Sequence, residues 1–405
     1  MTRRWSGLPV PLEGSWRVGG HAWAVHLPGL EYMADRPMFP RMSFVVVYED
    51  GVPLSGPHAL HAEIRELGDG HFVHWGEYLV YSTSDNSDPS CNGRRYTYSR
   101  AWWLYRRHFG RWPVTGAQRG LKLEPVNYRV IDSRDEAIAR DVDYTLQVID
   151  ASLAMLPADV GTLRGAAVLE IGPGHNLGTA LCLASQGARV TVVDLYPPAW
   201  DEQYHPRLYN ALHERLCSER PDWDPEPIRT VVENASHEPV VRCIATGVEA
   251  MPTVSDASMD LTLSNAVLEH CADLRAAVVE LARVTRPGGL GVHEVDHRDH
   301  RNRNRPLEYL LMSDDRFESL FEALHGECGN RLRRFEVERL FNESGLEIER
   351  VAVTETAEQR YAEQVISQLD RTEGSKYRGL DRIRLEDLVC CYVMRRPPES
   401  TNGDL

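Results

Sequence analysis

The sequence predicts an α/β protein built on a doubly wound, mostly parallel sheet, with a smaller β-rich domain before it. Three observations carry this. Ala166 to Ile171 is an apolar run of strand length, followed by a glycine turn, a helix and a second strand ending in Asp194. From there to Arg395, apolar strand-length runs alternate with segments of helical spacing, the pattern of parallel sheets with crossover helices. Before about residue 115, short β-branched and aromatic runs are instead broken by Gly and Asp turns.

The glycine turn organises the rest. Gly172 and Gly174 stand where a strand turns sharply into a helix and where backbone must approach a ligand closely. Gly178 falls in the first turn of that helix, which runs on to Ala184 and stops at Gly187. Asp194 tips the second strand, about 20 residues past the glycines, where an acid suits ribose hydroxyls. A nicotinamide-dependent oxidoreductase would share these parts. The dinucleotide fingerprint is G-x-G-x-x-G, whereas Gly172-x-Gly174-x-x-x-Gly178 is one residue longer, with Glu170 just ahead of it.

That stretch resembles motif I of the class I S-adenosylmethionine-dependent methyltransferases. The resemblance continues through Glu249-Ala250-Met251-Pro252, Asp256 to Leu261, Ser264-Asn265-Ala266-Val267-Leu268-Glu269-His270 and Arg283 to Gly289. These look like successive motifs of the methyltransferase type 11 group, which includes ubiquinone and menaquinone biosynthesis enzymes. The resemblance implies a class I methyltransferase, Rossmann-like doubly wound sheet with S-adenosylmethionine as cofactor. It implies that Glu170, Gly172, Pro173, Gly174, Asp194, Leu195, Val248, Glu249 and Asn265 line the cofactor site. One position departs from it: the family often has an acid where Gly247 stands, so backbone contacts are expected to replace a side chain beside adenine.

The expected domains are a β-rich N-terminal domain over 1–115, a linker over 116–133, the methyltransferase domain over 134–397 and a disordered tail over 398–405. In the first, Met42 to Tyr48 and the Glu49-Asp50-Gly51 turn read as a hairpin. His61 to Leu67 reads as an alternating strand, and His71 to Ser82 as its return. The polar loop from Ser82 to Arg95 reads either as a turn bonded to its own backbone or as a loop for a sugar-like substrate, given Trp102, Trp103 and Tyr105 beyond it. Asp135 to Leu156 is a helix leading into the first strand. Between Asp194 and Val240, Arg207 to Arg220 reads as helix and the proline-rich remainder as loop. An antiparallel finish is expected from Leu346 to Arg395.

The densest polar cluster runs from His293 to Arg305 and begins where the fifth strand ends. Ligands lie outside such carboxyl ends in open α/β sheets. Three readings stand: a solvated loop that pairs with itself; a general base drawn from His293, Asp296, His297 and His300; or a metal site from Asp296, His297, Asp299 and His300. The catalytic residues are assigned from the second reading, and no metal ligand is assigned. His270 is read first as structural.

With 405 residues and a net charge of −15, the chain is a poor match for polyanions, so a small-molecule acceptor is expected rather than nucleic acid. The eight cysteines form no C-x-x-C pair, and no apolar run reaches the roughly 20 residues of a membrane span. A cytoplasmic enzyme with reduced thiols is expected, without membrane association. The most economical function is O-methylation of a hydroxyl on a sugar or secondary metabolite. The alternative is an inactive methyltransferase fold that binds carbohydrate or regulates.

Overall fold

The computed structural model describes residues 9–30, 33–35, 41–109, 132–301, 303–323, 326, 328–381 and 384–398. The chain forms two compact units, Met1–Ser133 and Arg134–Leu405. Apart from Asp132 and Ser133, the expected linker lies outside the described residues, as does the tail beyond Pro398.

The first unit is two small sheets. One orders β1 (Val10–Pro11), β9 (Tyr96–Ser99), β4 (Val46–Glu49) and β5 (Val52–Pro53), all antiparallel. The other orders β2 (Trp16–Gly19), β3 (Ala22–His26), β8 (Tyr78–Tyr81), β7 (His71–Trp75) and β6 (Gly56–Pro57). Val25, Phe72, Leu79 and Tyr81 of one sheet and Val47 and Tyr96 of the other share an apolar core. The β4–β5 hairpin is as expected, turning at Asp50 and Gly51, which both take positive φ. The run His71 to Ser82 is itself a hairpin, β7 and β8, turned at Gly76.

His61 to Leu67 is not a strand. It is helix α1 (His61–Glu66), with Glu63 accepting the amide of Leu60 and Gly68 ending it at a φ of 70°. Its buried residues His61 and Ile64 are three apart, a helical spacing that the apparent alternation concealed. A second helix, α2 (Trp102–Phe109), leaves Trp102 and Trp103 exposed.

The polar loop 82–95 is bonded to itself. Arg94 donates to Asp85 and Glu49, Tyr96 donates to Glu49, and Thr83 donates to the carbonyl of Ser87. Asp85 and Asp88 each accept the amide two residues on, as in Asx turns.

The second unit is one seven-stranded sheet. Its strands are β10 (Ala167–Ile171), β11 (Arg189–Asp194), β12 (Val241–Ala245), β13 (Met259–Asn265), β14 (Thr285–Asp296), β15 (Glu347–Thr356) and β16 (Asp387–Arg395). Their order is β12-β11-β10-β13-β14-β16-β15. The first five are parallel, and β16 runs antiparallel to both β14 and β15, the finish that the sequence implied. Before β10 comes the leading helix α3 (Asp135–Met155); α4 (Gly178–Ser185) joins β10 to β11. The connection after β11 holds α5 (His205–Glu219) and α6 (Glu226–Asn234). The sequence read α6 as loop because of Pro225 and Pro227. Those prolines sit at the helix start, where a missing amide costs nothing.

After β13 come a 3-10 turn (Leu268–His270) and α7 (Leu274–Val284). Beyond β14 come a 3-10 turn (Glu308–Leu311) and α8 (Asp314–Ala323). Helix α9 (Arg334–Glu343) precedes β15, and α10 (Gln359–Leu369) follows it. Leu169 and Ile171 of β10 pack with Leu274, Leu281 and Phe341 of α7 and α9. The alternate residues Val168 and Glu170 face the other side, where α4 and α5 lie. No helix among the described residues is long and apolar enough to cross a membrane.

Helix α7 is held at its start by Asp273, whose side chain accepts the amide of Ala276 at 2.9 Å. Asp273→Ala should cost about 1 kcal/mol of stability in urea unfolding, and Asp273→Ser should recover most of it.

Candidate active site

Parallel register brings the carboxyl ends of five strands to one edge. Ile171 lies level with Val193 on one side and Ser264 on the other, Asp194 pairs with Ala245, and Asn265 with Glu294. The chain turns just past this row: the Gly172 amide donates to Val193, Thr246 to Asp194 and Ala266 to Glu294.

Gly172 takes φ 63°, and a Cβ there would meet Val267 at 2.5 Å, so turn and packing both demand glycine. Gly174, at φ 85°, faces open space, with nothing within 4 Å of where its Cβ would be. Pro173 between them is half-buried. At the next strand end, Asp194 holds the amide of Tyr196 with Oδ1. Leu195 beside it is 61% exposed. Such a large exposed apolar side chain, next to the glycine at 247, offers an apolar face suited to a purine. These residues fit a nucleoside with a sulfonium tail.

Two members of the expected cofactor set do other work. Glu170 lies under α4, with one carboxylate oxygen lacking any partner, and burial pushes its pKa up to about 8. It is a neutral buried acid facing α4 and α5. Glu249 accepts the amide of Ala272 at 3.2 Å, tying the β12 exit to the start of α7. Asn265 ends β13 at the edge, and its amide donates to the Tyr144 hydroxyl of α3 at 3.0 Å. The leading helix reaches the glycine loop as well. Asp141 accepts from the Tyr204 hydroxyl at 2.6 Å and lies 3.3 Å from His175 Nε2, and Thr145 packs where a Cβ on Gly178 would stand.

The expected base residues divide. His293 is wholly buried between the hydroxyls of Thr262 and Ser264, at 3.1 and 2.7 Å, with its ring stacked on Phe341 of α9. Burial lowers its pKa to about 3. His297 is equally enclosed. Its Nδ1 meets the carbonyl of Leu332 at 2.7 Å, so Nε2 is left to accept from the Tyr392 hydroxyl at 3.0 Å. Burial first, then the neighbouring Arg333 charge, lowers its pKa to about 3. Neither imidazole can reach an acceptor, so both are structural. Asp296 is clamped by Arg298 through two bonds of 2.7 Å. Asp299 pairs with Arg301. His300 stays near Asp296, with Nε2 3.3 Å from its Oδ2.

Pleating explains the division. Successive β14 residues face opposite sides, so His293 and Val295 enter the core with α9, whereas Glu294 turns towards Tyr144 and α3. Glu294 is half-buried. Its pKa is raised, first by burial and then by the charge of Asp296. Glu294 and Tyr144 are the residues that sequence reasoning passed over. A signal for Tyr144 existed: it is two positions from both Val142 and Leu146, so it cannot share their buried stripe on α3.

A family model described as "Methyltransferase domain" matches residues 220–292, from the end of α5 into β14. A malonyl-[acyl-carrier protein] O-methyltransferase of Pseudescherichia vulneris is 29% identical over 164 residues, covering 40% of this chain and 52% of that protein. The Serratia marcescens protein of the same name is 51% identical over 43 residues, covering 11% of this chain and 16% of that one. The chain thus spans about half the length of the first relative and less of the second. An S-adenosylmethionine-dependent methyltransferase structure from Mesorhizobium loti aligns at TM-score 0.36 and 14% identity, covering 61% of this chain and 96% of that one. The sheet order and the glycine loop define a class I methyltransferase fold. Over residues 220–292 the chain is thus similar to a methyltransferase domain, for which S-adenosylmethionine is the cofactor.

Asp194→Ala should weaken S-adenosylmethionine binding by about 1.5–3 kcal/mol in calorimetry, the scale of a charge-assisted hydrogen bond; unchanged affinity would remove Asp194 from the site. A second expectation concerns acid. His293 and His297 are neutral in the fold down to about pH 3 but take protons near pH 6.5 once unfolded. Their stabilising contribution is complete above about pH 6.5 and is lost as pH falls towards 3. Each contributes a slope of up to about 1.4 kcal/mol per pH unit. Urea midpoints between pH 7 and 5 should fall accordingly, and less steeply in His293→Gln.

Proposed function

We propose that this protein O-methylates a small-molecule acceptor, with Glu294 as the base that takes the acceptor proton. One observation carries the reading. Glu294 stands level with Asn265 on the strand next to it, on the same carboxyl edge as the glycine loop, and turns towards Tyr144.

S-adenosylmethionine supplies, when bound, an electrophilic methyl group on a sulfonium. The protein's part is mostly positioning. The glycine turn lets the backbone come close, and Asp194 accepts from the ribose hydroxyls. Leu195 and Val248 exclude water from the adenine side. Asn265 holds the Tyr144 hydroxyl, and that phenol orients the acceptor oxygen. Glu294 then accepts the proton. A carboxyl held above its ordinary range by burial is a stronger base than an exposed one. Arg303 is exposed and near enough to lower the Tyr144 pKa, against the larger upward effect of burial. A positive charge there suits an acceptor with an anionic group. The malonyl-[acyl-carrier protein] relatives are named as O-methyltransferases, which supports oxygen over carbon or nitrogen.

The expected acceptor is a sugar-bearing or secondary-metabolite hydroxyl, and no nucleic acid or membrane partner is proposed. The exposed pair Trp102 and Trp103 supports an acceptor-binding role for the N-terminal unit, since aromatic faces stack on sugars. A cytoplasmic setting is supported by the cysteines, none of which forms a disulfide among the described residues.

Glu294→Gln should lower turnover about 10²–10⁴-fold while leaving S-adenosylmethionine affinity near the wild-type value. The base form of Glu294 is populated only above its raised pKa. Wild-type activity should therefore fall on the acid side, at a pH above the ordinary glutamate range of about 4.3, and the variant should lose that limb. Wild-type turnover in Glu294→Gln would sink the assignment. Against a panel of sugar and metabolite acceptors, replacing Trp102 and Trp103 by Ala should raise KM with little change in kcat. An unchanged KM would remove the N-terminal unit from acceptor selection. Cofactor binding with no turnover on any acceptor would favour the non-catalytic, carbohydrate-binding reading.

A further inference from the structure

We propose that Glu269, Asp296 and His300 form a binding site for one divalent transition-metal ion, of which Mn²⁺ or Zn²⁺ fits best, tying the exit of β14 to the exit of β13.

Among the described residues, one group of three such side chains brings its ligand atoms together: one atom each from Glu269, Asp296 and His300, all within 4.8 Å of one another. The elements explain the meeting. Glu269 sits in the 3-10 turn just past β13, Asp296 is the last residue of β14, and His300 follows four residues later. Parallel neighbours must release their chains at the same edge, so the two turns face each other.

Glu269 supplies an independent sign of a ligand. It is 2% exposed, yet neither carboxylate oxygen has a hydrogen-bond partner. The backbone amides of Glu269 and Asp296 lie close enough to favour its charged form, but without good hydrogen-bond geometry and against a larger effect of burial. A buried carboxylate without a donor is among the costliest groups a fold can carry, so it must hold a proton or a cation. His300 is partly buried, and its Nε2 lies at ion-pair distance, 3.3 Å, from Asp296 Oδ2 without a hydrogen bond of good geometry. The Glu269 carboxylate and His300 Nε2, which make no hydrogen bond of good geometry, thus gather with an Asp296 oxygen already shared with Arg298.

The donor set selects the ion. Two carboxylates and an imidazole suit a borderline divalent ion better than Mg²⁺, which prefers oxygen and keeps its water. With bonds of about 2.1 Å, ligand atoms of a tetrahedral ion stand about 3.4 Å apart, so the group would draw in by up to about 1.4 Å on binding. The arginine on Asp296 leaves that carboxylate one shared oxygen, Oδ2, to offer. His297 and Asp299, which the sequence also suggested as ligands, are committed elsewhere, to Leu332 and Tyr392 and to Arg301.

The test uses the full chain, stripped with chelator and titrated with Mn²⁺ in the absence of cofactor and acceptor. It is therefore independent of the proposed methyl transfer. Calorimetry and the electron paramagnetic resonance of free Mn²⁺ should show one saturable equivalent, and Mn²⁺ should raise the melting temperature. Glu269→Gln and His300→Gln should each weaken binding at least about tenfold and abolish the rise. Glu269→Gln keeps the shape and removes the buried charge, so its ion-free melting temperature reports whether the fold survives. Equal Mn²⁺ affinity in wild type and both variants would overturn the site. So would the absence of saturable binding of both Mn²⁺ and Zn²⁺ to wild type, in which case Glu269 is a buried neutral acid.

Discussion

The side on which each β14 residue falls decides the chemistry of the whole edge. A strand has a period of two, so one residue's orientation fixes those of its neighbours. His293 enters the core between Thr262 and Ser264, and that sends Glu294 to the side where Asn265 and Tyr144 stand. Were β14 shifted by one residue, an imidazole would face the acceptor edge and a carboxylate would be buried against Phe341. Pairing on both sides of β14 opposes such a slip. It runs parallel to β13 and antiparallel to β16, whose Val393 and Tyr392 lie level with Val292 and His293.

Holding histidines inside such a sheet has an energetic consequence. A buried imidazole without a carboxylate partner stays neutral, and its nitrogens must be used by hydroxyls and carbonyls. His293 takes two hydroxyls, and His297 takes a carbonyl and a phenol. Each therefore fixes a junction: His293 joins β13 to β14, and His297 joins the β14 exit to Leu332 ahead of α9 and to Tyr392 of β16. The polar run after β14 is thus largely internal architecture, stabilising the edge on which the candidate site is built.

The backbone of the second unit was legible because its signals are local. Strand length, the glycine turn and the acid at the tip of β11 need no knowledge of tertiary contacts. The side chains of the site were less legible, because a polar residue at a strand end looks the same whichever side it faces. Histidine density drew attention to His293 and His297. The deciding fact was that Val295 and His293 share a side with Phe341, which only the packing of α9 reveals. The same limit applied in the first unit. His61 to Leu67 alternates in sequence, yet it folds as α1 because Glu63 and Gly68 cap it and because His61 and Ile64 need only one buried stripe.

Glu170 and Glu269 show how differently one buried side chain can be settled in this domain. Both are enclosed glutamates lacking hydrogen-bond partners at one or both oxygens. Glu170 lies near Cys182 and Tyr209, and burial alone raises its pKa, so a proton is its natural companion. Glu269 lies instead beside Asp296 and an imidazole that can bind a cation. Asp296 is already paired with Arg298, so the charge left to be met is that of Glu269. A divalent ion satisfies all three groups at once. It would also hold rigid the two turns from which Asn265 and Glu294 emerge, so that the acceptor edge and the buried cluster beneath it act as one unit.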